Sequence, residues 1–259
     1  MKLSFTTYQI GKNLDLDALL EMASASGCTG IEFRLESKDH GVEISCTEEE
    51  RKVIRKKIED KYLEVAGIGT GFRFQFTDPE ERKTHIEGAK QACKLAYDLG
   101  CSRIRVFGNK IPEGVNAQDC SAWVAQSLAE VADYALPLGV DVLLEMHGHF
   151  NYWGYALPVI KMANRQNIGI LYNCDDRDLV AGSVQETYER IAPYIRHIHL
   201  HGFHTTYPYL ELFTLLLKDG YEGYASAEIN GSPDAKNMMM LYGACFRALR
   251  KAAELSLRG

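Results

Sequence analysis

Four short runs within residues 140–230 decide the reading of this chain: Val140-Asp-Val-Leu-Leu-Glu-Met-His-Gly-His149, Ile168-Gly-Ile-Leu-Tyr-Asn173, Ile195-Arg-His-Ile-His-Leu-His201 and Tyr224-Ala-Ser-Ala-Glu-Ile-Asn230. Each has the length and apolar character of a strand and ends in residues with chemistry. Side chains alternate faces along a strand. His197, His199 and His201 therefore share a face, as do Glu145 and His147, and also Ser226, Glu228 and Asn230. Six of the eight histidines fall between residues 147 and 204. Two carboxylates, an amide and a histidine at four strand ends can converge on one divalent cation.

Working outward, strand-like and helical runs alternate along the whole chain. Lys2–Thr7, Gly30–Arg34, Leu63–Gly69 and Ser102–Gly108 read as the first four strands, the third unusually rich in glycine. Helices are expected at 15–26 with Gly27 as its stop, at 47–61 behind a Thr47/Glu50 capping box, and from Asp78-Pro79 to Gly100. A helix over 116–138 has its last turn disturbed by Pro137. Further helices fall near 155–165, 183–192, 208–219 and 234–255. Eight strand–helix units of about 32 residues predict an α/β fold: a closed (β/α)8 TIM barrel, one domain over residues 1–259. An open doubly wound sheet would show a glycine-rich phosphate turn after its first strand, and Tyr8-Gln-Ile-Gly-Lys-Asn13 is not one. In a barrel the C-terminal strand ends form the active face, where Glu145, Asn173, His199 and Glu228 would lie.

Composition narrows the partners. A net charge of −6 argues against broad attraction to nucleic acid or an anionic membrane. The N-terminus lacks the apolar core of a signal peptide, and no run approaches ~20 apolar residues. Seven cysteines without a CxxC pair read as reduced thiols, with Cys28, Cys93, Cys101 and Cys245 in structural roles. The expectation is a cytoplasmic protein acting on a small molecule. A homo-oligomer is compatible with the sequence, which does not specify one.

Gly30-Ile-Glu-Phe-Arg34, Ile104-Arg-Val-Phe-Gly108, Leu143-Leu-Glu-Met-His147, Ile195-Arg-His-Ile-His-Leu200 and Tyr221-Glu-Gly-Tyr-Ala-Ser-Ala-Glu228, in this order and spacing, resemble the xylose-isomerase-like superfamily of barrels, in its sugar phosphate isomerase/epimerase branch. The resemblance implies one divalent ion (Mn, Co, Zn or Mg) held by Glu, Asp, His and Glu from the fifth to eighth strands. Glu145, His199 and Glu228 match; Asn173 stands where aspartate is expected, which implies weaker metal binding or a changed metal preference. Asp176 replaces a histidine often seen in such epimerases. Thr205 replaces an arginine, and His201-Gly202 replaces a Lys-Asp pair. The metal framework is mostly present, while the substrate-reading residues are rewritten.

The implied chemistry is metal-dependent isomerisation or epimerisation of a small sugar, polyol or hydroxy-carbonyl compound, with Glu145 and Glu228 exchanging a proton through an enediolate. His147, Asp176, His201 and Arg105 are the candidate substrate contacts, with Asp175 and Asp178 as competitors of Asp176. Glu32 and Arg105, inward charges on early strands, are expected to pair with each other, and His197 is balanced between a site and a core role. Phe72, Phe74, Phe76, Phe107, Phe150, Trp153 and Phe203 flank the site in sequence as an apolar wall or as core. Two alternatives remain: a dehydratase on a related polyol or keto-cyclitol, and a metal-free barrel that binds a ligand without catalysis. A three-zinc DNA-repair endonuclease of the same superfamily is disfavoured, because Glu64–Gly71 and Arg103–Asn109 contain no histidine.

Overall fold

The structure, a computed structural model, describes residues 1–258. Eight strands, β1 Lys2–Thr6, β2 Gly30–Arg34, β3 Glu64–Arg73, β4 Arg103–Phe107, β5 Asp141–Glu145, β6 Ile168–Asn173, β7 Ile195–Leu200 and β8 Tyr224–Ala227, alternate with eight helices. These are α1 Leu16–Ser26, α2 Glu48–Glu59, α3 Pro79–Asp98, α4 Ala117–Ala135, α5 Trp153–Ala163, α6 Gln185–Ile191, α7 Tyr209–Lys218 and α8 Ala235–Ser256. Each strand runs parallel to its sequence neighbours, and β1 pairs with β8 to close the barrel.

Local chemistry sets the boundaries. Asp15 caps α1 by accepting the Ala18 N–H, and Gly27 ends it in the left-handed conformation at φ 76°. Thr47 and Glu50 form the reciprocal capping box that opens α2. Pro137 converts the end of α4 into a 3₁₀ turn over Leu136–Leu138. Strand β3 runs to Arg73, four residues beyond the sequence expectation.

The hydrophobic core lies between the sheet and the helices. Outward-facing Phe5, Ile31, Phe33, Ile68, Ile104, Val106, Leu144, Ile170 and Ile198 are fully buried there. The barrel interior, usually layered with branched apolar side chains, is polar instead. Ser4, Glu32, Arg105, Glu145, His197, His199 and Ser226 are all buried, and Ser4 and Ser226 share a 2.6 Å hydroxyl contact. A polar interior persists only if its groups satisfy one another or a ligand.

The cysteine expectation holds for Cys28, Cys93 and Cys101, which are buried, whereas Cys245 is exposed on α8. No helix among the described residues is long and apolar enough to cross a membrane.

Candidate active site

Register brings the predicted residues to one level. Glu145 closes β5, Asn173 closes β6 and pairs in register with His199 on β7, and His199 pairs with Ser226 on β8. Glu228 follows β8 directly, held by its N–H donating to Leu200 O at 2.8 Å.

The upper cluster is Glu145, His199 and Glu228, whose donor atoms all lie within 4.8 Å of one another. His199 Nδ1 is 3.3 Å from Glu228 Oε2 and 4.0 Å from Glu145 Oε1. Both His199 Nδ1 and Glu145 Oε2 are buried without a hydrogen-bond partner. Burial disfavours the Glu228 carboxylate, but the charge of His199, then Arg105 and His201, outweighs it and holds the group down at about 2. Burial likewise works against a protonated His199, and Glu32 and Glu228 overcome it, keeping this imidazole well above its ordinary value. Two carboxylates and an imidazole with an orphaned nitrogen are a donor set that could hold a divalent cation.

Below it lies a second cluster that the sequence reading assigned differently. Glu32 does not pair with Arg105. His199 Nε2 donates to both Glu32 oxygens at 3.0 Å, and His197 Nε2 lies 2.8 Å from Glu32 Oε2 and 3.0 Å from Ser226 Oγ. Closure of the barrel through β8 and β1 brings β7 within three strands of β2, so an inward Glu32 meets the β7 histidines across the interior. His197, 1% exposed, is thereby a hydrogen-bonded core residue. Arg105 turns toward β5, where its Nε is 3.0 Å from Glu145 Oε2. The N–H is not aimed at that oxygen, so the contact is ionic without being a hydrogen bond. The guanidinium also rests 4.2 Å above the Phe107 ring.

Asn173 is buried and committed on both sides. Its Nδ2 donates to Glu145 Oε1 at 3.1 Å, while its Oδ1 accepts from His201 Nε2 at 2.8 Å. Presenting that oxygen beside Glu145 requires the amide to flip, breaking both bonds. His201 is half-buried, with Nδ1 3.1 Å from Glu228 O. His147 is exposed and tilted against Phe107. Both histidines line a cavity of about 1120 Å³ at the C-terminal mouth, together with Glu145, Asn173, Arg105 and Glu228.

Asp176 does not line it. The 3₁₀ turn Asp176–Asp178 leaves Asp176 exposed, and Asp175 faces the cavity instead, bound to Arg177 at 2.6 Å. Of the aromatic residues flanking the site, Phe107 and Phe203 line the cavity, whereas Phe74 and Phe150 are fully buried. The sequence reading missed Arg34 and Arg73, the last residues of β2 and β3, both at the cavity. For Arg34 the place at a strand end was the available signal, whereas Arg73 lay beyond the expected end of β3.

A closed (β/α)8 barrel with carboxylates and an imidazole gathered at its C-terminal mouth defines a class of barrels built around a site of this kind. The chain belongs to the xylose isomerase-like TIM barrel family, which it matches over residues 20–249. It is 28% identical to a 2-oxo-tetronate isomerase of Cupriavidus necator over 154 residues, 53% of this chain and 58% of that protein. The chain thus spans under two thirds of that curated relative. Among solved structures, it resembles a D-psicose 3-epimerase with D-tagatose from Clostridium cellulolyticum H10 at a TM-score of 0.80 and 14% identity, covering 96% of this chain and 99% of that one. The IOLI protein with a binding zinc atom gives a TM-score of 0.76 at 16% identity, over 99% and 97% of the two chains.

Proposed function

We propose that this chain is a divalent-metal-dependent isomerase or epimerase of a small sugar, polyol or hydroxy-carbonyl compound. The observation that carries the reading is the orphaned Nδ1 of His199, buried beside the oxygens of Glu145 and Glu228, the two carboxylates of the cluster that line the cavity. Arg105 offsets part of the charge of the two buried carboxylates, and a divalent ion would neutralise the rest. The naming of the curated relative as an isomerase supports the same reaction class.

Glu145, His199 and Glu228 would hold the ion. When bound, it supplies a Lewis acid that stabilises negative charge on oxygen next to the carbon that loses its proton. Glu228, as a carboxylate, accepts that proton, and Glu145 relays one taken up from solvent to the other side of the enediolate. Arg105 and Asn173 orient Glu145 through its two oxygens. Such positioned acid–base groups contribute ~10²–10⁴-fold.

The test is turnover of hydroxy-carbonyl compounds by metal-loaded protein in deuterium oxide. Solvent deuterium in recovered substrate is expected; metal-independent turnover by Glu228→Gln would sink the proposal. An ultraviolet band from an unsaturated product would assign the same proton abstraction to a dehydratase. One observation favours a ligand-binding barrel without catalysis: Asn173 commits its amide to Glu145 and His201. Failure to bind manganese, cobalt, zinc or magnesium would establish that reading.

A further inference from the structure

The mouth of the barrel is divided by charge. The arc from β5 to β8 carries Glu145, Asn173, His199 and Glu228. The opposite arc carries three guanidinium groups, from Arg34 on β2, Arg73 on β3 and Arg105 on β4, and all three line the cavity. Arg34 and Arg105 are both register partners of Gly69 on β3, while Arg73 lies four residues further along that strand, nearer the mouth. A cationic arc in a protein of net charge −6 is a local feature that runs against the overall balance.

The glycine pattern of β3 makes room for it. Gly67, Gly69 and Gly71 recur at a spacing of two and therefore share one face. A Cβ at Gly69 would lie 3.1 Å from Arg105 Nη2 and 3.6 Å from Arg34 Cδ; one at Gly71 would lie 3.4 Å from Arg34 Nη2. Side chains at these positions would crowd the two arginines. Glycine leaves a groove along which both lie.

The guanidiniums differ in how far they are neutralised. Arg105 sits on Glu145. Arg34, with its side chain 17% exposed, donates through Nη1 to Gly69 O at 3.3 Å. Its nearest carboxylate among the described residues is that of Glu36, 3.8 Å away and largely in solvent, too loose for a strong pair. Arg73 lies over Phe76, 5.5 Å from the ring centre. Burial, and then the charge of Arg105, hold the Arg34 pKa below its ordinary value, so a half-buried cation here favours an incoming anion.

We propose that the substrate carries a terminal anionic group, carboxylate or phosphate, seated by the forks of Arg34 and Arg73, with its hydroxy-carbonyl end at Glu145 and Glu228. This deepens the isomerase reading and rests on it for the position of the reacting end. Bidentate guanidinium contacts give both strength and orientation. Arg105, the member of the cationic arc that contacts Glu145, links the anion seat to the reacting end.

The experiment compares three four-carbon compounds with manganese-loaded protein: a 2-oxo acid with two hydroxyls, the neutral tetrulose, and the terminal phosphate ester of that tetrulose. One anionic compound should exceed the neutral one by about 100-fold in kcat/KM, and which one does so identifies the anion. In Arg34→Gln this preference should collapse to within about threefold of unity through KM, with Arg34→Lys intermediate. Equal or better turnover of the neutral compound overturns the proposal, as does an equal loss on all three in Arg34→Gln. Should that variant misfold, Arg73→Gln, at an exposed strand end, replaces it with the same expectation. If wild-type protein turns over none of the three, the isomerase reading is in doubt, and calorimetric titration of the same compounds decides the anion seat alone. Binding of an anionic compound tenfold or more above the neutral one, lost in Arg34→Gln, supports the seat; equal binding overturns it.

Discussion

One nitrogen of His199 meets both oxygens of Glu32: Nε2 lies 3.0 Å from Oε1 and 3.0 Å from Oε2. That contact fixes a hydrogen on Nε2 and sets the ring so that Nδ1 faces Glu145 and Glu228. Glu32 is thus a positioning residue for the only imidazole in the proposed donor set, and its lower partner His197 fixes the carboxylate in turn. The pattern is that of a carboxylate orienting a ligating histidine.

Glu32→Gln should therefore reduce manganese affinity by about 10–100-fold without removing a ligand. It also leaves two buried histidines without their anion, and the metal-free protein should lose roughly 3–5 kcal/mol of stability. Calorimetric titration with manganese and urea unfolding of the metal-free form report the two effects separately. Unchanged affinity in a folded variant would remove Glu32 from the site.

Asn173→Asp should shift stability in opposite directions with and without metal. The Nδ2 donor to Glu145 at 3.1 Å is replaced by an oxygen carrying like charge, so metal-free protein should be destabilised by about 1–3 kcal/mol. With a cation present the added charge is favourable, and manganese should bind at least about tenfold tighter. Melting curves with and without manganese should cross. A variant that binds no more tightly than wild type would show that Asn173 does not face the ion.

Gly148, in the loop after β5, packs against Asn109 in the loop after β4. It sits at φ 63°, and a Cβ there would meet Asn109 O at 2.5 Å, a backbone atom that also accepts from His149 N–H at 3.0 Å. Gly148→Ala should displace both cavity residues, Asn109 and His147, and lower turnover. Gly114→Ala is the comparison, since Gly114 has a positive φ of 75° but nothing within 4 Å. That variant should cost about 1–2 kcal/mol from backbone strain alone. Equal melting temperatures for the two variants would show that the loop contact yields freely.

The barrel was legible because strand and helix periods alternate, with caps such as Asp15, Thr47 and Asp78 marking the boundaries. The convergence of Glu145, His199 and Glu228 was legible for the same reason, since strand ends in a parallel barrel meet at one mouth. Pairing across the interior was not. Glu32 reaches His199 across 167 positions of sequence, and alternation shows only that both point inward, not which opposite charge each meets. Asp176 failed for a local reason: one turn of 3₁₀ helix rotates the facing position to Asp175. Arg34 and Arg73 were overlooked because their meaning depends on the glycines of β3, which read in sequence as a weak strand rather than as a groove.

Asp178 gives the chain a pH signature separate from the proposed metal site. It is 4% exposed, accepting from Asn151 Nδ2 at 2.6 Å and from the Asp175 N–H at 3.2 Å. Burial pushes its carboxyl from 3.8 up to about 7, outweighing these hydrogen bonds. Below about pH 4 the group is protonated in folded and unfolded chains, and its contribution to stability is fully present. Between about pH 4 and 7 the folded chain holds a proton that the unfolded chain has lost, so each rise in pH favours unfolding. Above about pH 7 the contribution is gone. The displacement corresponds to roughly 4 kcal/mol across that window. Asp178→Asn cannot titrate, so the stability of wild type relative to the variant should fall by about that amount from pH 4 to 8. Taking the difference cancels the other titrating groups, and urea unfolding at several pH values measures it. A difference that stays flat across the window would mean that Asp178 is ionised throughout, held by Asn151 more strongly than burial opposes it.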